Sequence, residues 1–266
     1  MFGLIVPTVS NFFYDSFIAA VEEESRKNHY TLMILQSGDK KDVELENIKL
    51  CRQNRITGLF SCLSAETTTY DAYTRLKEQD IPVVFFDKVP DAENFNKVTV
   101  ADTLAGTLAA GAILSKNKKN IIAIFGNPNL SITKKRLSAF KETCNEKITG
   151  IKLTVVHVSN TLEAEKIATK LLSKKTDAVF CMSDEILTGV MKSIQKKKLK
   201  IPGDVSIIAI SNGYIPKLYY PEITYVETSG YKLGKLAFST MLSCLAGNTF
   251  VREITTDALL VIGGSL

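Results

Sequence analysis

Gly3-Leu-Ile-Val-Pro7 reads as a buried β-strand, followed by a loop, Thr8-Val-Ser-Asn-Phe-Phe-Tyr14, and an amphipathic segment where Phe17, Val21 and Glu24 show alternating faces. The same unit recurs to the C-terminus. Short apolar runs rich in β-branched residues stand at Gly3–Pro7, Thr31–Leu35, Gly58–Leu63, Val83–Asp87, Val98–Ala101, Ile121–Gly126, Leu153–Val158, Ala178–Ser183 and Val205–Ile210. Near-continuous apolar runs of this length fit parallel strands covered on both faces. Between them lie residues at helical spacing, such as Leu104, Leu108, Ile113 and Leu114 in one segment and Ile167, Leu171 and Leu172 in another. Strands alternating with helices imply crossover units and hence an α/β fold with parallel sheets.

The punctuation agrees with that pattern. Ile81-Pro82 and Ile201-Pro-Gly-Asp204 each close a helix-to-strand connection. Asp102 and Asp184 stand between a strand and a helix, where they are expected to be N-caps. The alternating units are too many for one simple doubly wound sheet, so two similar lobes are expected, with a break near Val100–Ala101.

Composition narrows the class. The chain has 266 residues, 45% hydrophobic and 23% charged, which is ordinary for a globular protein with a substantial core. No apolar run approaches the ~18 residues needed to span a bilayer, and no secretory signal is visible. The five cysteines, Cys51, Cys62, Cys144, Cys181 and Cys244, are widely spaced and form no C-x-x-C pair. Neither a disulfide framework nor a zinc site is expected, and reduced cytoplasmic thiols are the simplest reading. The net charge of +5 invites a nucleic-acid reading. However, the lysine clusters Lys116-Asn-Lys-Lys119, Lys174-Lys175 and Lys196-Lys-Lys-Leu-Lys200 fall at predicted helix ends, where cations offset the negative end of the dipole. They carry no interleaved aromatics of the kind a single-strand groove requires.

Nothing in the sequence argues for catalysis. There is no G-x-G-x-x-G after a strand, no phosphate-cradling P-loop, no H-E-x-x-H and no G-x-S-x-G. His29 and His157 lack a neighbouring cysteine or acid that would suggest a triad or metal site. No cofactor and no metal are expected.

Several ordered segments resemble the effector-binding core of lactose-repressor (LacI) family regulators. They are the opening strand and loop Gly3–Tyr14; Ile81-Pro-Val-Val-Phe-Phe-Asp-Lys88; Val100-Ala-Asp-Thr-Leu-Ala-Gly106; Lys135-Arg-Leu-Ser-Ala-Phe140; Ala178-Val-Phe-Cys-Met-Ser-Asp184 with Gly189; Leu199-Lys-Ile-Pro-Gly-Asp-Val-Ser-Ile-Ile-Ala-Ile210; Pro221-Glu-Ile-Thr-Tyr-Val226; and Leu233-Gly-Lys-Leu-Ala237. Their order and spacing carry the resemblance over essentially the whole chain. It implies a type I periplasmic-binding-protein fold: two parallel-sheet lobes joined by three crossovers, with a ligand cleft between them. The lobes would be residues 1–100 plus 229–252 and residues 101–228 plus 253–266, the latter ending in a strand near Ala258–Ile262.

The resemblance also implies site residues. Phe13 and Tyr14 match pocket-lining aromatics, whose faces suit a sugar or a base. Arg136 matches an arginine that reaches ligand hydroxyls or a carboxylate with its fixed fork of donors; the alternative is an exposed helix arginine beside Lys134 and Lys135. Asp184 is either an acceptor for ligand hydroxyls or the N-cap of its helix, and Asp102 leans toward the structural role. Asp87 and Lys88 either contact ligand or pair with each other.

Ser211, followed by Asn212, stands where many family members carry an aspartate. Ala139 replaces the glycine of R-x-x-G-F, Thr103 replaces an asparagine, and Gly264 replaces a C-terminal arginine. Losing the aspartate leaves neutral donors and acceptors, which argues against a standard hexose or purine, and a net-positive cleft with Arg136 would tolerate a carboxylated or phosphorylated sugar. The implied function is sensing of a small molecule, a sugar or sugar derivative, by a cytoplasmic homodimer that acts on DNA through an N-terminal helix-turn-helix head for which this sequence has no room. A solute-binding protein of a sugar transporter shares the fold and is the alternative.

Overall fold

A computed structural model of the chain describes residues 1–147, 150–248 and 250–266. Among them the elements in chain order are β1 (Phe2–Val6), α1 (Phe12–Lys27), β2 (Leu32–Gln36), α2 (Lys41–Gln53), β3 (Gly58–Ser61), α3 (Asp71–Lys77), β4 (Val83–Phe86) and β5 (Asn96–Val100). There follow α4 (Asp102–Ser115), β6 (Asn120–Phe125), α5 (Ser131–Lys147), β7 (Lys152–His157), α6 (Thr161–Leu171), β8 (Ala178–Cys181), α7 (Asp184–Lys197) and β9 (Ser206–Ser211). A short 3-10 turn (Ile215–Leu218), β10 (Thr224–Glu227), α8 (Gly230–Leu245), β11 (Glu253–Thr256) and β12 (Leu259–Val261) complete the chain.

The chain divides into two compact units, Met1–Val100 with Ser229–Thr256 and Ala101–Thr228 with Asp257–Leu266. The backbone passes from one to the other at 100–101, 228–229 and 256–257. Each unit holds a six-stranded sheet. The strand orders are β11-β5-β4-β3-β1-β2 and β12-β10-β9-β8-β6-β7, so the second unit repeats the topology of the first. All pairings are parallel except β10 with β12. The central strands are buried along their whole length, as in β1, β8 and β9, because helices cover both faces.

The first unit's core lies on both faces of its sheet. Phe17 of α1 stacks on Phe86 of β4 at 3.7 Å between ring centroids, while Tyr73, Phe85 and Phe95 pack edge to face on the opposite side. The second unit is centred on Phe125, Phe140 and Phe180. Cys62 and Cys181 are buried thiols, and all five cysteines are unpaired.

Three expectations are corrected. Residues 253–256 belong to the first unit, because β11 pairs with β5 there. As an edge strand with a single apolar residue, Ile254, it has no apolar run to announce it. Asp102 and Asp184 are the first helical residues and not N-caps: the cap of α4 is Ala101, and that of α7 is Ser183, whose hydroxyl accepts from the Ile186 amide. Leu104 is exposed, and α4 packs instead through Ala105, Ala109 and Ile113.

That small-residue face brings α4 against α5. A Cβ on Gly106 would collide with the carbonyl oxygen of Arg136. Gly106→Ala is therefore expected to force the two helices apart at a cost of about 1–3 kcal/mol, read as a lowered midpoint in urea or heat.

Candidate functional site

Each unit gathers polar side chains at the C-terminal ends of its strands, where open α/β sheets bind ligands. In the first unit Asn11 caps α1, its side-chain oxygen accepting from the amides of Phe13 and Tyr14 at 2.8 and 3.2 Å. This fixes the three consecutive aromatics at the helix start. Phe12 is 46% exposed, Phe13 is half-buried, and Tyr14 is turned inward. The sequence singles out Phe13 and Tyr14, but Phe12 is the most exposed of the three.

The Tyr14 hydroxyl donates to Asp87 Oδ2 at 2.8 Å and lies 3.6 Å from the thiol of Cys62. Burial, with the Asp87 charge adding to it, raises the Tyr14 phenol well above its usual value. Asp87 directly follows β4 in the left-handed region at φ 58°, a conformation an aspartate tolerates better than most residues. Asp87 and Lys88 do not pair with each other. Lys88 instead holds both carboxylate oxygens of Asp39 at 2.9 Å, and Asp87 accepts the hydrogen bond of the Tyr14 hydroxyl.

In the second unit Arg136 is buried and not an exposed helix residue. Its Nε donates to Asp102 Oδ1 at 2.7 Å and its guanidinium donates to the Met182 carbonyl at 3.1 Å. A pair this dry is held by geometry as much as by charge. The guanidinium charge is matched by Asp102, so the expected net-positive anchor for a carboxylate or phosphate is not there. One turn earlier on α5, Thr133 is fully buried with no hydrogen-bond partner for its hydroxyl among the described residues. Nothing in its sequence context announced it.

Asp184 opens α7 and is 9% exposed. Its carboxylate accepts from the Ser211 hydroxyl at 2.5 Å and the Asn212 amide at 3.3 Å. Burial pushes its carboxyl up to about 6, against the pull of those two hydrogen bonds and with a further push from Glu185. The Ser211 oxygen also accepts from the Gly213 amide at 2.9 Å. Arg136, Asp102, Asp184, Ser211 and Asn212 thus sit in one unit, and Phe13, Tyr14 and Asp87 in the other. Next to Asn212 an open cavity of about 430 Å³ is walled by Tyr214, Leu218, Tyr225 and Glu227.

The arrangement offers hydrogen-bond acceptors and donors held rigidly, suited to hydroxyl groups. Among the described residues there is no group of three metal-ligating side chains. No described helix is long and apolar enough to cross a membrane.

A sequence profile described as periplasmic binding proteins and sugar binding domain of the LacI family matches residues 1–257. The chain is 28% identical over 244 residues to the ribose operon repressor of Haemophilus influenzae, covering 90% of this chain and 73% of that protein. It is 25% identical over 249 residues to the HTH-type transcriptional repressor PurR of Vibrio atlanticus, again covering 90% of this chain and 73% of the relative. Among solved structures, a LacI family transcriptional regulator of Enterococcus faecium with bound ribose superposes with a TM-score of 0.88 at 20% identity, over 99% of this chain and 97% of that one. A periplasmic binding protein/LacI transcriptional regulator of Alkaliphilus metalliredigens, complexed with D-xylulofuranose, gives 0.86 at 21% identity, over 99% and 98%. These structural likenesses establish the fold.

Proposed function

This chain belongs to the family of periplasmic binding proteins and sugar-binding domains of LacI-type regulators, and from that premise we propose that it is the ligand-sensing core of a cytoplasmic transcription regulator. It performs no chemistry. Relatives that are repressors over 90% of this chain favour a regulator over a transporter's solute-binding protein. The sequence-specific DNA contact is assigned to a helix-turn-helix head, and ligand binding controls it by favouring one conformation of the core.

The observation that carries this reading is the buried set Arg136–Asp102 and Asp184–Ser211 at the strand ends of the second unit. Such groups bind by presenting preset donors and acceptors to hydroxyls. Because Arg136 is already neutralised by Asp102, the ligand class we assign is a neutral sugar, with a pentose first, in place of a sugar acid or phosphate. The test is a thermal-shift and calorimetric screen against ribose, other pentoses, hexoses, sugar phosphates and purine bases. A ligand of the folded state raises the melting temperature by mass action. A pentose hit supports the reading, whereas a response confined to sugar phosphates or to purines overturns the ligand class.

We further assign a homodimer. Tyr214, Leu218 and Tyr220 are 54%, 61% and fully exposed within one short segment of the second unit, and apolar surface of this kind marks an interface. Sedimentation is expected to show a dimer that Leu218→Asp with Tyr220→Asp converts to monomer without loss of fold. A wild-type monomer at micromolar concentration refutes it.

A further inference from the structure

We propose that the strand N-terminal edge of the second unit is a docking surface for the phosphate backbone of duplex DNA, read without regard to sequence. Strands β9, β8, β6 and β7 are parallel neighbours in that order, so their starts share one edge. The loops leading into them carry exposed lysines: Lys116 and Lys119 before β6, Lys152 opening β7, Lys174 and Lys175 before β8, and Lys200 before β9. At ~4.8 Å between neighbouring strands, the row is about 14 Å long, and duplex DNA presents a charge every ~1.7 Å of axis.

The acids on this edge are turned onto the backbone. Asp177 accepts from the Lys119 and Asn120 amides at 3.0 and 2.8 Å, and Asp204 accepts from the Lys200 amide at 2.7 Å. The lysine heads set the outward field.

The first unit has the same topology and supplies a comparison. Its cations stand in the last turns of its helices, Arg26 and Lys27 of α1, Arg52 of α2 and Arg75 and Lys77 of α3, where they offset the dipole. Its loops into β2, β3 and β4 (residues 28–31, 54–57 and 78–82) hold Arg55 against Glu78 and Asp80. In the second unit exposed lysines continue past the helices into the loops themselves, at Lys116, Lys119, Lys174, Lys175 and Lys200. The chemistry narrows what such a row can bind. Lysine heads are point charges suited to single phosphate contacts, and residues 116–119, 170–177 and 196–204 contain neither arginine for bidentate pairing nor an aromatic to stack an unpaired base or enter a lipid surface.

The test is fluorescence anisotropy of the full chain with a short labelled duplex of arbitrary sequence, titrated with salt. Each neutralised phosphate contributes about −0.9 to the slope of log K against log salt, so a slope near about −4 is expected. Changing Lys116, Lys174, Lys175 and Lys200 to glutamine is expected to weaken binding at least about tenfold and to flatten most of that slope, with the melting temperature unchanged. A control set with the same charge loss on the first unit, Lys40, Lys49, Arg52 and Arg55 to glutamine, is expected to leave binding nearly intact. Equal losses in both sets would mean net charge alone and overturn the site. Absence of salt-dependent binding overturns it as well. Tighter binding to phosphatidylserine vesicles or to polyglutamate than to the duplex overturns the assignment to DNA.

Discussion

Arg136→Met is expected to lower the stability of the chain by about 3–5 kcal/mol, because it removes one partner of a buried ion pair. Asp102 has a side chain only 2% exposed, and Arg136 Nε donates to it at 2.7 Å. The same substitution frees the Met182 carbonyl that the guanidinium holds. At 2–4 °C per kcal/mol for a chain of this size class, the melting temperature is expected to fall by roughly 10 °C. The double variant Arg136→Met with Asp102→Leu removes both charges and is expected to recover most of that loss, since apolar replacement of a buried pair is often neutral. Sugar binding is not expected to return with it. A double-mutant cycle in calorimetry therefore separates the structural role of the pair from its role toward ligand. If the single variant melts like the wild type, the pair is not buried as described.

The second large effect is a pH dependence of unusual sign. Burial holds the Asp184 carboxyl at about 6, above the ordinary aspartate value of about 3.9. The folded state then binds this proton more tightly than the unfolded state, so between about pH 4 and pH 6 the native chain carries more protons and stability falls as pH rises. The penalty is absent below about pH 4 and complete above about pH 6, where it amounts to on the order of 3 kcal/mol. Other carboxylates move the opposite way: hydrogen bonding to Lys196, opposed by burial and aided by Lys192, holds Glu165 below its usual value. The effect is therefore read as a difference between wild type and Asp184→Asn. That variant is expected to be more stable near pH 7, with the gap closing toward pH 4. A gap that does not change with pH would refute the burial argument. Ligand affinity follows the ionised form on the proposed reading. A sugar hydroxyl donating to Asp184 should bind about tenfold more weakly at pH 5 than at pH 7.5, and Asp184→Asn should lose that dependence.

The two units differ in what surrounds a similar set of strand ends. Tyr14, Asp87 and Cys62 close on one another in the first, whereas Thr133 in the second leaves a buried hydroxyl without a partner among the described residues. Such an orphan is costly in a dry interior, and it stands on the α5 face that also carries Arg136.

The sequence by itself determined the α/β class and the positions of the nine apolar strands, because burial on both faces of a parallel sheet demands continuous apolar runs that are visible locally. It did not reveal β11, whose one apolar residue, Ile254, leaves no pattern to see. It placed the helix starts at Asp102 and Asp184 one residue late as caps, since Ser183 performs the capping and frees Asp184 for Ser211. Only the tertiary structure decided what the site residues do. The partner of Arg136 is 34 residues away and that of Asp184 is 27 residues away, and the Tyr14–Asp87 bond spans 73. Residue type announces a charge. Whether that charge meets a ligand, a partner or water depends on which strand ends the fold brings together, and that is a property of packing at long range.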